Sequence, residues 1–223
     1  MLLLGLGLLA LTACTLGSIG IVTTARYAAS GFASESPQRS LEPGYSYLRV
    51  TVNGAQVAWL VLGYVEASGG GGIEVWYGAE GEVIKLRDGR IVSTVGLSTD
   101  WRRVVFSGLA DWTSIGTTPY TFIRDRDVMP GYRLNIREHL AILRIPPPAS
   151  SLLVGIDALE LSWFEESLLE GVSAHEPLPP ARYALRINEK SGRQVEPIYG
   201  EQCLATKFCL SWQRLTALSP GTT

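Results

Sequence analysis

Hydrophobic and polar residues alternate with period two through much of this chain, in short runs divided by glycine, proline, asparagine and aspartate. That period belongs to strands with one buried face, and the dividers belong to turns. The pattern is clearest in residues 73–95, IEVWYGAEGEVIKLRDGRIVSTV, which predict three strands folded back on one another. Asp88-Gly89 suits a two-residue hairpin because both positions tolerate positive φ, and it sets Leu86 opposite Ile91 and Ile84 opposite Ser93. Upstream, a four-residue loop Gly78-Ala79-Glu80-Gly81 sets Val75 opposite Ile84 and Ile73 opposite Leu86. One face then carries Ile73, Val75, Ile84, Leu86 and Ile91. The other carries Trp76 beside Glu74 and Lys85, with Glu74 and Lys85 forming a cross-strand charge pair. In this register Trp76 is the indole expected at a surface contact.

The same reasoning extends along the chain. Asn53-Gly54 predicts a hairpin that pairs Val50 with Val57 and Leu48 with Trp59. Leu60 to Val65 continues apolar and reads as a strand buried on both faces. Gly69 to Gly72 would cradle a phosphate only before a helix; a strand follows, so they read as a hairpin link. Tyr132 to Ile145 predicts one long strand or two broken ones, with Arg133, Asn135, Arg137 and His139 on the solvent face, ended by three prolines. Asp157 to Glu166 alternates again, with Leu159, Leu161 and Trp163 on one side. Glu165 and Glu166 are adjacent, so in a strand they face opposite ways and cannot together flank one glycosidic bond. Arg182 to Ile187 and Val195 to Tyr199 add further strands. The sum is an all-β, mostly antiparallel fold, an irregular barrel or sandwich of meanders and hairpins in one domain over residues 45–216, with a tail at 217–223.

Composition narrows the function. Hydrophobic residues make up 46% and charged ones 18%, which excludes a disordered chain. A formal net charge of −2 supplies no basic field for nucleic acid and none for an anionic membrane surface. The amino terminus suggests another route to a membrane. Residues 1–13, MLLLGLGLLALTA, form an apolar leader, and Leu11-Thr12-Ala13-Cys14 has the form of a bacterial lipobox. A thiol is needed to take the diacylglycerol, and acyl chains such as palmitate hold stably when two or more are attached. No Lys or Arg precedes the apolar run, unlike most export signals, and a start codon upstream of Met1 would explain this. The alternative is an uncleaved anchor helix, weakened by Gly5, Gly7, Gly17 and Gly20. Residues 14–44 read as the lipidated terminus and tether. Thr15 stands where an Asp would suggest inner-membrane retention, which by enterobacterial sorting rules favours the outer membrane.

With Cys14 lipidated, Cys203 and Cys209 remain. In an oxidising compartment they are expected to form a disulfide across a short loop, contributing about 2 kcal/mol. Two thiolates fall short of a metal cage, and His139 and His175 lie in no ligand spacing, so no metal and no cofactor are expected. Neither a GxSxG nor a Walker motif is present. Asp100-Trp101 and Asp111-Trp112 each set a carboxylate beside an indole, as sugar-binding sites do. The competing and favoured reading is a Trp that buries its ring at a strand end and satisfies its N–H locally. Binding surfaces favour Trp, Tyr and Arg, which makes Trp76, Tyr77, Trp101, Arg102 and Trp112 the candidate glycan or partner contacts.

Three blocks, EVWYGAEGEVIKLRDGR, GLSTDW and YGEQCLATKFCLSWQR, resemble the YjbF/GfcB lipoproteins encoded with exopolysaccharide and group 4 capsule secretion genes. The resemblance runs from about Tyr47 to Leu215. It implies a lipid-anchored accessory of polysaccharide secretion at the periplasmic face of the outer membrane, without enzymatic activity. Its partners would be outer-membrane polysaccharide export proteins, the polymer itself, or both. The rival is a periplasmic polysaccharide hydrolase or modifying enzyme, marked by a cleft holding two carboxylates and lined by Trp101 or Trp112. A third reading is a structural envelope lipoprotein that touches no glycan.

Overall fold

The computed structural model describes residues 41–68, 71–169, 177–188 and 194–216. The leader, Cys14, most of the tether, residues 69–70 of the glycine link and the 217–223 tail lie outside the described residues. Twelve strands follow one another: β1 (Ser46–Val52), β2 (Gln56–Glu66), β3 (Ile73–Gly78), β4 (Val83–Arg87), β5 (Arg90–Val95) and β6 (Asp100–Ser107), then β7 (Tyr120–Met129), β8 (Arg133–Ile145), β9 (Ser162–Leu168), β10 (Ala181–Asn188), β11 (Gln194–Ala205) and β12 (Phe208–Thr216). All pairings are antiparallel, in the order β5-β4-β3-β2-β1-β12-β11-β10-β9-β8-β7-β6. Two meanders thus join along β1–β12, and the sheet curls until its edges β5 and β6 meet. At that seam side chains take over from the ladder. Thr94 Oγ1 accepts from the Trp101 N–H at 3.0 Å, and Ser93 Oγ donates to the Arg102 carbonyl at 3.2 Å. The result is a nearly closed twelve-stranded barrel, and closure removes the open edges that invite aggregation. Two 3-10 turns and no α-helix occur among the described residues.

All twelve strands feed one interior core, from Leu48, Leu60, Trp76, Leu86 and Ile91 in the first meander to Trp101, Phe122, Ile142, Phe164, Tyr183, Leu204 and Trp212 in the second. A second, smaller cluster lies outside. After the three prolines end β8, residues 146–161 run over the outer wall, where Leu153, Ile156 and Ala158 pack on Trp163, Ala184, Ile198 and Tyr199. The Leu152 N–H donates to the Tyr199 hydroxyl at 2.9 Å, and Gln213 exchanges two hydrogen bonds with the Val154 backbone. Leu161 and Trp163 are buried there, but Leu159 is exposed. Residues 158–160 form a 3-10 turn capped by Asp157, which breaks the alternation expected of that run.

Three expected registers differ by one residue. The Asn53-Gly54 turn has a third residue, Ala55, so Val50 pairs with Ala58 and Leu48 with Leu60. The turn is tied sideways: Asn53 donates its N–H to the Cys209 carbonyl and accepts the Cys209 N–H on its side chain. Between β3 and β4 the loop is also one residue longer, with the Gly78 N–H donating to the Glu82 carbonyl at 2.8 Å. Trp76 therefore pairs with Ile84 and Glu74 with Leu86. Because side chains alternate, that single step turns β3 over. Trp76 enters the core, and its N–H donates to Glu74 at 3.1 Å. Glu74 bonds Arg214 at 2.6 Å and Lys85 bonds Glu66 at 2.6 Å, in place of the expected Glu74–Lys85 pair. The Asp88-Gly89 turn forms as read, with Leu86 opposite Ile91, but a bulge after Lys85 gives Ile84 the partner Thr94. A further bulge at Gly63 leaves Tyr64 and Val65 exposed, so Leu60 to Val65 is not buried on both faces.

Candidate functional site

The interior holds charges where alternation would predict apolar side chains. β7 sends in Phe122, Arg124, Arg126 and Val128; β8 sends in Ile136, Glu138 and Leu140; β9 sends in Phe164 and Glu166. Arg126 grips Glu138 through Nε at 2.9 Å and Nη2 at 2.8 Å, and Arg124 Nε reaches the same carboxylate at 2.7 Å. Both guanidinium groups lie over the Trp101 ring, at 4.8 and 4.9 Å from its centroid. The Trp101 indole Nε1–H crosses the barrel to donate to the Leu204 carbonyl at 2.9 Å. Towards the opposite end Arg90 makes a second such layer. Its Nε donates to Glu166 at 2.5 Å, and its guanidinium carbon lies 3.6 Å from the Trp112 centroid and 5.4 Å from that of Tyr183. Trp112 comes from the β6–β7 connection, on a 3-10 turn, and plugs this end by donating its N–H to the Asp88 carbonyl at 3.0 Å.

Charge-assisted hydrogen bonds and cation–π contacts offset the desolvation of these ions. Burial raises the Glu138 carboxyl, but the Arg126 hydrogen bond and the charges of Arg124 and Arg126 outweigh it and hold the group below its ordinary 4.5. Burial, reinforced by the Glu166 charge, pushes the Tyr183 hydroxyl well above 10, so it is a neutral donor set 3.3 Å from Glu166 and 3.2 Å from Gln202. The space left between Arg124, Glu166 and Gln202 is about 10 Å³, room for one water molecule and no sugar. Elsewhere the described interior is occupied by the apolar and aromatic side chains of the core.

The expected contacts divide sharply. Trp76, Trp101 and Trp112 are 2%, 0% and 6% exposed, so none of them is a surface contact. Asp100 does not flank an open indole. Its carboxylate caps the β5–β6 turn, accepting from Thr94 Oγ1, Gly96 N and Leu97 N. Tyr77 and Arg102 lie on the outer surface. Cys203 and Cys209 face each other across β11 and β12 and are joined by a disulfide. Their Cα atoms are 3.8 Å apart, closer than the 4.4 Å that usually bounds such pairs from below. Glu165 binds Arg182 outside while Glu166 is inside, as adjacent strand residues must be. Among the described residues no metal-binding group of three His, Cys, Asp or Glu occurs. Two outer grooves, of about 430 Å³ beside Arg182 and Glu201 and about 480 Å³ beside Arg103 and Arg137, are lined by neither Trp101 nor Trp112.

The buried arginine layers escaped the sequence reading. The signal was there: with Arg137 and His139 assigned to solvent, Glu138 must share the face of Ile136 and Leu140. In the same way Arg124 and Arg126 alternate in step with Phe122 and Val128. What that signal could not supply was the partner strand that neutralises them.

Architecture and interior together define an antiparallel β-barrel whose described interior is filled by apolar, aromatic and paired ionic side chains. The model of the YjbF family, described as group 4 capsule polysaccharide lipoprotein GfcB, matches residues 37–168, more than half of the chain, and the chain belongs to this family of capsule polysaccharide lipoproteins. The crystal structure of the hypothetical lipoprotein YmcC from Escherichia coli K12 has the same fold, with a TM-score of 0.60 at 16% identity over 88% of this chain and 97% of that one. No curated protein sequence matches the chain significantly.

Proposed function

We propose that this protein is an outer-membrane lipoprotein, anchored through Cys14 on the periplasmic face, that assists secretion of exopolysaccharide or capsule by binding an export partner, the polymer, or both, without catalysis. One observation carries the reading beyond family membership: the interior is filled among the described residues, and on the outer wall the exposed rings of Tyr64 and Tyr77 lie side by side on β2 and β3. Surfaces rich in Tyr bind well because the ring adds contact area while its hydroxyl stays hydrogen-bonded.

The test is a deletion strain of the native host complemented with the full chain or with Cys14→Ser. Secreted polysaccharide should fall in the deletion, recover with the full chain, and recover poorly with the variant, which should leave the outer-membrane fraction. Undiminished secretion in the deletion strain would overturn the proposal. Shortening of purified polymer by the purified protein would replace the binding role with the hydrolase.

A further inference from the structure

The outer wall carries an apolar row that runs across the strands. Tyr47 in β1 pairs with Val61 in β2, Val61 with Tyr77 in β3, Tyr77 with Val83 in β4, and Val83 with Val95 in β5. All five point away from the core, whose side of the same strands is taken by Leu48, Leu60, Trp76 and Ile84, and all are at least partly exposed. Tyr64 adjoins the row, its ring 6.5 Å from that of Tyr77. The two rings are 49% and 43% exposed. Gly63 makes the arrangement possible: a Cβ there would come within 2.6 Å of the Tyr77 ring, so only glycine lets the ring lie down over β2. The Tyr64 hydroxyl donates to Glu66, which also holds Lys85, so the platform is braced and has charged hydrogen-bonding groups along one side.

We propose that this tyrosine row is a polysaccharide-binding platform, on which the apolar faces of hexopyranose units rest against the Tyr64 and Tyr77 rings. The proposal rests on the polymer-binding arm of the function proposed above. Flat aromatic faces receive the apolar faces of sugars while neighbouring charges take hydroxyls. A bilayer fits worse, because it would desolvate the Lys85–Glu66 pair beside the row. An added β-strand fits worse too, because it would run along the strands at an edge and not across their faces.

The experiment measures binding of the full-length, detergent-solubilised protein to immobilised polysaccharide purified from the native host's culture. Three variants are compared with the wild type: Tyr64→Ala/Tyr77→Ala, Gly63→Ala, and Tyr132→Ala on the distant β7–β8 turn. The double variant should bind at least about tenfold more weakly, a loss typical of stacked rings. Gly63→Ala keeps both tyrosines but lifts Tyr77, and should also weaken binding; Tyr132→Ala should bind as the wild type. Unchanged thermal melts confirm folding of these surface variants. Wild-type affinity in the double variant would overturn the platform while leaving the secretion role intact. A wild type that ignores the polymer, with secretion lost in the double variant, would assign the row to a protein partner and overturn the glycan proposal. Loss of polymer binding in all variants, Tyr132→Ala included, would also overturn it.

Discussion

The guanidinium carbon of Arg90 lies 3.6 Å from the centre of the Trp112 ring, deep inside the barrel. Each residue makes the other's position tolerable. Trp112 plugs the barrel end and shields the Arg90–Glu166 pair from water, and the cation gives the ring a partner on its face. The interior is thus braced by ions and aromatic rings in two layers, Arg90 with Trp112 and Glu166, and Arg124 and Arg126 with Trp101 and Glu138.

Breaking one layer should be severe. Glu166→Ala leaves Arg90 buried with no counter-charge, and the expected loss is about 3–5 kcal/mol. Replacing both partners at once, as Arg90→Met/Glu166→Leu, should cost clearly less than that single change, because no lone charge remains. Urea denaturation of the three proteins measures both, and a double variant less stable than Glu166→Ala would contradict the account.

Acid should attack the second layer. Glu138 has a depressed carboxyl pKa in the folded protein, so it binds a proton more readily when unfolded. Its contribution is complete above about pH 4.5 and is lost as pH falls through the lower folded value. Stability of the wild type should decline steeply in that window. Glu138→Gln, less stable at neutral pH because two arginines lose their anion, should show a flatter acid limb. Equal slopes in denaturation curves taken from pH 6 to pH 3 would show that Glu138 does not govern acid unfolding.

Reduction offers a milder perturbation. The Cys203–Cys209 bond closes a loop with five intervening residues, and such a loop restricts the unfolded chain by about 2 kcal/mol. Dithiothreitol should lower the urea midpoint by a corresponding amount without unfolding the barrel, and Cys203→Ser/Cys209→Ser should match the reduced protein. Complete unfolding on reduction would mean that the hairpin depends on the bond far more than loop entropy allows.

Lipidation is read from the LTAC tetrad and makes a direct prediction. The membrane-extracted protein should begin at an acylated Cys14. Mass spectrometry that recovers an intact peptide from Met1 would favour the anchor helix.

The strands themselves were determined locally. Alternation, the Asp88-Gly89 and Asn53-Gly54 turns and the prolines after Ile145 mark strands by sterics and hydrogen-bonding capacity that each residue carries anywhere. Family resemblance and the cysteine pair were legible for the same reason, as short blocks of adjacent residues. Register was not, because loop length decides it. One extra residue at Gly78–Glu82 turned Trp76 from the expected outer face into the core, and one at Asn53–Ala55 exchanged Trp59 for Leu60. The shifted registers are held by contacts from elsewhere: Arg214 grips Glu74, which accepts the Trp76 indole N–H, and Cys209 bonds Asn53. The charged core depended still more on tertiary structure. Arg90 and Glu166 are 76 residues apart, and each alone reads as a solvated side chain. Burial of either ion is tolerable only when barrel closure delivers the other, a condition that no window along the chain contains. The tyrosine row has the same origin, since Tyr47, Val61, Tyr77, Val83 and Val95 form a line only after five strands have been laid side by side.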